Sequence, residues 1–283
     1  MVAAAFARPP VVADIDAALG EDTLPRLAAL FAEHGDAFRV HSPATGRDLF
    51  VLSHPDHVRH VLVDHHADFA KGIGIERVAI LLGNGLMTSD GDTWRAQRKS
   101  IQPAFHRTSV QARIGDIVMA NRRLAMRLVA ASRERRAVDI THDLSEVTLE
   151  IVLRAIFGAS YEQLVAVANP FALLTAESAR DLKFAYAFRQ LGGVLQQEIL
   201  QRRASPSGAD DILQVLIDAR DRHTGAPMPD RQIRDEVFTL IVAGHDTTAS
   251  ALSWTWYLIA RHPSVAGRIR AEVDGAGSEA REA

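Results

Sequence analysis

VFTLIVAGHDTTASALSWTWYLIA, residues 237–260, is an apolar run with Gly244, His245, Asp246, Thr247 and Thr248 at its middle. Each is a poor choice inside a buried helix. Gly costs about 1 kcal/mol against Ala there, and Asp and Thr a few tenths. A buried carboxylate needs a partner or a task. The helical pattern extends from Asp230, a plausible N-cap, to Arg261, where His262-Pro263 stops it. At 1.5 Å per residue such a helix spans about 45 Å and crosses a whole molecule. Val242, Ala249, Leu252, Trp256 and Ile259 recur at helical spacing and predict its buried face. The run is long enough to cross a bilayer, but a central Asp246 costs about 3 kcal/mol there. A buried core helix is therefore expected, with no membrane anchor. Gly244 leaves a gap where a flat ligand can approach the backbone. Thr247 can turn its hydroxyl to the carbonyl four residues back, and Asp246 beside it can relay protons. The plainer alternative is a Thr/Ser-rich helix with a salt-bridged Asp.

Working outward, most of the chain reads as helix. Residues 24–35 form an amphipathic segment stopped by Gly35, and residues 37–53 predict two short strands, the second Leu49–Leu52, with Pro43 and Gly46 in the turn. A short helix follows, with Pro55 suited to its first turn. Residues 71–88 are Gly-rich and irregular. Longer helices are expected over 92–102, 110–135, 140–157, 182–203 and 211–220, before the one at 230–261. There is no internal repeat and no clear linker, so the expectation is one mainly α domain over 1–283 with a small β-hairpin. Composition agrees: 47% hydrophobic and 24% charged residues describe a globular chain, and a net charge of −3 gives no reason to expect nucleic acid. The N-terminus, MVAAAFARPPVVADID, does not read as a secretory signal, which predicts a cytoplasmic protein. The sequence contains no cysteine, which excludes disulfides and thiolate ligands from within it.

Other stretches bear on chemistry. In TSDGDTWRAQR, Ser89 and Asp92 have capping-box-like spacing. Trp94 and Arg98 lie four apart on one helix face; both are donors and suit a carboxylate. The alternative is Arg98 stacked on a surface Trp94. Arg95, Lys99, Arg107 and Arg113 form a basic set, either a docking patch for an acidic protein or a solvated face. The segment 53–68 holds His54, His57, His60, His65 and His66, and a solvated helix is favoured over a metal site because no HExxH pattern is present. GIGIERVAILLGNG lacks the third Gly of a dinucleotide loop.

AGHDTT, WRAQR, RKSIQPAFH, GNGLMTSDG and the approach DILQVLIDARDRHTGAPMPDRQIRDEVFTLIV together resemble the cytochrome P450 family of haem-thiolate monooxygenases, along 24–273. The resemblance implies the family's fold and a haem b (iron) cofactor. By the same resemblance Trp94 and Arg98 would hold a haem propionate, and Ala243 and Gly244 would lie over the haem. Thr247 would hydrogen-bond oxygen at the iron, Asp246 would help deliver protons, and Met87 would contact substrate. Phe184 and Phe188 are further candidates for shaping the pocket. Arg95 and Lys99 lie on a helix that commonly meets the electron-donating partner, a ferredoxin or flavoprotein. A small apolar substrate is implied. The chain departs from the family in lacking the Glu-x-x-Arg helix and the loop whose Cys ligates the iron. It is expected to correspond to roughly the N-terminal two-thirds of a member, truncated before that loop and inactive alone. The alternative is a non-catalytic helical remnant that binds apolar ligands or proteins.

Overall fold

Asp230–Arg261 is a single helix of 32 residues, with the bounds the sequence predicts. The structure, a computed structural model, describes residues 9–16, 22–72, 74–166, 169–175, 182–205, 208–221 and 224–276, without the side chains of 77, 173 and 182–189. Phe184 and Phe188 therefore lie outside the described residues. The chain divides into two compact units, Met1–Ala70 and Lys71–Ala283.

In the first unit, β1 (Val11–Asp14), β2 (Ala37–Ser42) and β3 (Arg47–Leu52) form one sheet. β2 and β3 pair antiparallel, from Ala37 opposite Leu52 to Ser42 opposite Arg47. Gly46 closes the hairpin at φ 63°, in the left-handed region that glycine enters without strain. β1 adds in parallel to β2 and was not expected; it is four residues long, directly after Pro9-Pro10, and carries no alternation. α1 (Thr23–His34) lays Leu27 and Leu30 on Ile15, Phe38 and Val40. α2 (Pro55–Arg59) starts at Pro55 as expected, capped by His54, which accepts from the Asp56 N–H at 3.2 Å. A π-helical turn, His60–Asp64, continues it, and the His60 and His65 rings stack at 4.2 Å. Among the described residues no group of three candidate ligands could hold a metal ion.

The second unit holds α3 (Ile75–Leu82), α4 (Gly91–Ile101), α5 (Arg107–Gln111), α6 (Ile114–Arg133), α7 (Ile140–Phe157), α8 (Ser160–Val165), α9 (Leu182–Ala204), α10 (Ile212–Asp218), α11 (Asp230–Arg261) and α12 (Pro263–Ala276). Residues 71–88 are thus not wholly irregular. α3 sits between Gly74 at φ 105° and Gly83 at φ 72°. The helix expected over 110–135 is two helices, because the Arg113 N–H bonds the Val110 carbonyl in a tight turn instead of continuing the ladder. α7 runs as predicted, from Asp139, whose carboxylate accepts from the N–H groups of Thr141 (3.0 Å) and His142 (3.2 Å). It is buried along most of its length, since Leu149, Leu153, Ile156 and Phe157 join a core with Leu195 and Ile199 of α9, Leu213 and Leu216 of α10, and Ile233, Val237 and Ile241 of α11. Each such side chain contributes about 1.5–3 kcal/mol by leaving water.

A buried guanidinium ties three of these helices together. Arg202 of α9 donates to Glu198 (2.7 Å), to Asp211 at the start of α10 (2.7 Å) and to the Phe157 carbonyl at the end of α7 (2.8 Å). Asp211 also accepts from the Gln214 N–H, capping α10. At the head of α11 the N-cap position belongs to Pro229. Asp230 is the first helical residue, its carboxylate held by Arg203 at 2.8 Å and Gln196 at 3.1 Å.

The two halves of α11 differ. Ile233, Val237, Phe238, Ile241, His245 and Ala249 are buried. Beyond Ala249 the apolar face predicted from spacing is only partly covered. Leu252 and Ile259 are half-buried, while Trp256 is 49% and Trp254 66% exposed. Spacing locates a helix face but not how far along the helix its neighbours reach. Among the described residues no helix is long and apolar enough to cross a membrane.

Candidate functional site

The polar centre of α11 divides its residues between opposite sides. Ala243 and Gly244 are half-buried and His245 is buried, whereas Asp246, Thr247 and Thr248 are exposed. Each threonine bonds back one turn, Thr247 Oγ1 donating to the Ala243 carbonyl at 2.8 Å and Thr248 Oγ1 to the Gly244 carbonyl at 3.0 Å. The threonines therefore satisfy their own donors within the helix and keep hydroxyl lone pairs facing outward. Ala243, Asp246 and Thr247, spaced three and four apart, share one stripe. Gly244 does not open a gap on that stripe. A Cβ there would stand 2.9 Å from Val152 Cγ2, so the missing side chain admits α7. His245 faces the interior, with Nδ1 unpartnered among the described residues.

Trp94 and Arg98 share a face of α4. The guanidinium carbon of Arg98 lies 5.6 Å from the centre of the indole, a cation–π distance. Trp94 is half-buried and Arg98 exposed, and among the described residues Arg98 has no acidic partner. The sequence left two choices for this pair, a stack and a pair of donors for a carboxylate, and the geometry is compatible with both at once. Arg95 pairs with Asp92 at 2.5 Å. With Lys99 and Arg220 these residues line an open groove of about 560 Å³ between α4 and the end of α10.

Met87 lies in the strap that joins α3 to α4, half-buried against the main core. This strap is heavily bonded, by residues to which no motif in the sequence gives a role. The Lys71 ammonium donates to the carbonyls of Leu86 (2.9 Å), Met87 (2.9 Å) and Ser89 (2.5 Å). Its main-chain N–H donates to Asp90 at 2.8 Å. From α11, Asp235 accepts from the Asn84 N–H at 3.0 Å and Glu236 from the Leu86 N–H at 2.8 Å. Gln97 donates to the Asn84 carbonyl at 2.7 Å and accepts from Ser89. Ser89 is therefore not part of a capping box. Asp90 caps α4 instead, accepting from the Gly91 N–H at 2.9 Å. Burial pushes the Glu236 carboxyl up to about 7, against the opposing pull of the Leu86 N–H. Burial likewise lowers Lys71, while hydrogen bonds from the N–H groups of Lys71 and Gly91 lower Asp90. One sign of this was present in the sequence: Asp235-Glu236 sits inside the apolar approach to AGHDTT, where acids need partners.

The family model described as Cytochrome P450 matches residues 17–178 and 163–282, which together take in nearly the whole chain. The chain belongs to the cytochrome P450 family. It is 33% identical to cyclooctatin synthase of Streptomyces melanosporofaciens, over 88% of this chain and 57% of that protein. It is 29% identical to cyclooctat-9-en-7-ol 5-monooxygenase of the same organism, over 91% and 58%. It is 28% identical to the chloroplastic protein LUTEIN DEFICIENT 5 of Arabidopsis thaliana, over 94% and 50%. The P450 fold is shared with the crystal structure of the cytochrome P450DA heme domain, at TM-score 0.73 and 24% identity over 90% of this chain and 59% of that one. The chain thus spans about half to two-thirds of the length of the relatives it matches. The cofactor of the family is haem iron. The residues present suit such a group at two points: a Trp94–Arg98 donor pair of the kind a carboxylate takes, and a stripe of α11 carrying a small residue beside a hydroxyl and a carboxylate.

Proposed function

We propose that this chain supplies the oxygen-side wall of a P450 monooxygenase site that oxidises a small apolar substrate with electrons from a redox protein. The observation that carries this is the Ala243–Asp246–Thr247 stripe of α11, with Ala243 half-buried, Asp246 and Thr247 exposed, and Thr247 bonded back to Ala243. Haem, when bound, supplies the iron at which dioxygen is activated. The Trp94 indole N–H and the Arg98 guanidinium would hold a propionate, a charge-assisted pairing. Ala243 would give clearance over the ring, and Gly244 would contribute only its backbone edge. Thr247 Oγ1 donates inward to Ala243, so it would accept a hydrogen bond from the pocket or donate one after releasing that carbonyl. Asp246, open to solvent, would pass protons inward. Met87 would contact substrate. Arg95 and Lys99, on the rim of the groove, would meet the redox partner, a ferredoxin or flavoprotein.

The 283 residues hold no cysteine, so the thiolate that favours O–O cleavage must come from elsewhere. Alone, the chain is expected not to turn over, and a Cys-bearing partner fragment would complete it. The cytoplasm is the expected location. Haemin titration of the full chain tests the proposal. Saturable binding, weakened about tenfold or more by Arg98→Leu, is expected from loss of a charge-assisted bond. The reduced, CO-treated sample should lack the thiolate-type band. Unsaturable binding, indifferent to Arg98, would overturn the assignment. It would favour a second reading, a haem-free helical piece that binds apolar ligands or proteins, which the exposed Trp254, Trp256 and Leu258 support.

A further inference from the structure

The strap of residues 83–90 is held from two sides by charges: the exposed Lys71 on one and the buried Asp235 and Glu236 of α11 on the other. Lys71 uses all three ammonium hydrogens on its carbonyls. Asp235 and Glu236 of α11 take two of its N–H groups. The fit leaves no slack. A Cβ at Gly83 would fall within the Asp235 carboxyl, and one at Gly85 would strike Thr239 and the Asp235 backbone. Thr88 closes the strap on itself, donating to the Gly83 carbonyl at 2.7 Å. Apolar packing alone would hold a loop more simply. Charges at carbonyl and N–H groups fix a backbone to a specific register instead, because each bond is directional and costly to break.

We propose that Lys71, Asp235 and Glu236 are positioning residues: they clamp residues 84–89 so that Met87 is presented at a fixed place beside α11. The proposal deepens the assignment of Met87 as a substrate contact and rests on it for its functional meaning. The clamp joins the substrate side of the site to the same helix that carries Asp246 and Thr247. The charged groups facing Glu236 are Lys71, from the segment before α3, and Asp235 on its own helix. Asp90 lies one step farther, against Lys71. Glu236 Oε1 and Thr239 Oγ1 have no partner among the described residues, so only one oxygen of that carboxyl is engaged. Losing its proton strengthens the bond from the Leu86 N–H but leaves a desolvated charge beside Asp235, so opening the strap, which hydrates that charge, becomes easier.

The test uses the full chain without added cofactor, labelled at the methionine methyls, with Met87 assigned through Met87→Leu. Hydrogen exchange is read at the Asn84 and Leu86 amides. Lys71→Met and Glu236→Ala should shift or broaden the Met87 signal. Both should raise exchange at those amides by about tenfold or more, as expected for loss of bonds to charged groups, with α7 amides unchanged. Lys71→Arg should restore part of the protection. In the wild type, protection at Leu86, after correction for intrinsic exchange, should fall as pH rises towards 7. Glu236→Gln should abolish that dependence. Unchanged Met87 signals and amides in both disruptive variants would overturn the clamp. So would exchange that rises evenly throughout Lys71–Ala283. Should Lys71→Met fail to fold, Glu236→Ala decides, and an unchanged Met87 signal with unchanged Leu86 exchange in that variant overturns the proposal. Haemin is then added: a Met87 methyl that does not respond counts against its place in the site, not against the clamp.

Discussion

Gly244 and Val152 meet where α11 crosses α7: a Cβ on Gly244 would lie 2.9 Å from Val152 Cγ2. A β-branched residue on a helix has little rotameric freedom, so Val152 cannot move aside cheaply. Gly244→Ala gains about 1 kcal/mol in helix propensity but incurs overpacking of about 1–3 kcal/mol. The expected net result is a destabilisation of about 1 kcal/mol in urea unfolding. Val152→Ala in the same chain should remove most of the clash, so the two changes together should cost less than their sum. A Gly244→Ala chain more stable than wild type would show that α7 yields at this point.

Arg202 offers a larger effect. It is buried, with both carboxylate partners also buried, and it donates as well to the Phe157 carbonyl and, at 3.1 Å, to the Ser160 hydroxyl. Arg202→Met leaves Glu198 and Asp211 without their cation, and breaking a buried pair in this way costs about 3–5 kcal/mol. Asp211 retains its N-cap bond to Gln214, so α10 should persist while α9 loosens. Chemical denaturation and the loss of amide protection in α9 check this. A cost below about 1 kcal/mol would mean the carboxylates find water readily.

The long helix was legible because a periodic run from Asp230 meets a stop at His262-Pro263, although its N-cap lies one residue earlier, at Pro229. β1 was not legible, since four residues in a parallel pair depend on a partner distant in sequence. Of the site, the sequence exposed what is unusual within one element: the polar patch at 243–248 and the Trp94–Arg98 spacing. It concealed what depends on crossings. That Gly244 faces α7 and that Ser89 bonds Gln97 are facts of packing. The Lys71–Glu236 clamp joins residues too far apart for any local pattern, although two adjacent acids in an apolar helix carried a physical signal.

Thr247 separates a structural role from a functional one. Among the described residues its hydroxyl bonds only within its own helix, and its side chain is exposed. Thr247→Val should leave unfolding free energy within about 0.5 kcal/mol, the usual range for surface changes. Were stability to fall by more than about 1.5 kcal/mol, the residue would be part of the frame and its assignment to oxygen chemistry would lose its basis.

Glu236 makes stability depend on pH in a defined window. Its folded value of about 7 exceeds the ordinary 4.5, so the native state binds the proton more tightly than the unfolded chain. The resulting stabilisation is complete below about pH 4.5, declines as pH rises towards 7, and does not change further above that. The full shift corresponds to about 3 kcal/mol at most, and water reaching the carboxyl reduces it. Glu236→Gln should therefore match or exceed wild-type stability at pH 8 and lose the advantage at pH 5. Urea titrations of both chains at the two pH values give the difference directly. Parallel profiles would mean that Glu236 stays ionised in the fold, with Lys71 closer in effect than Asp235.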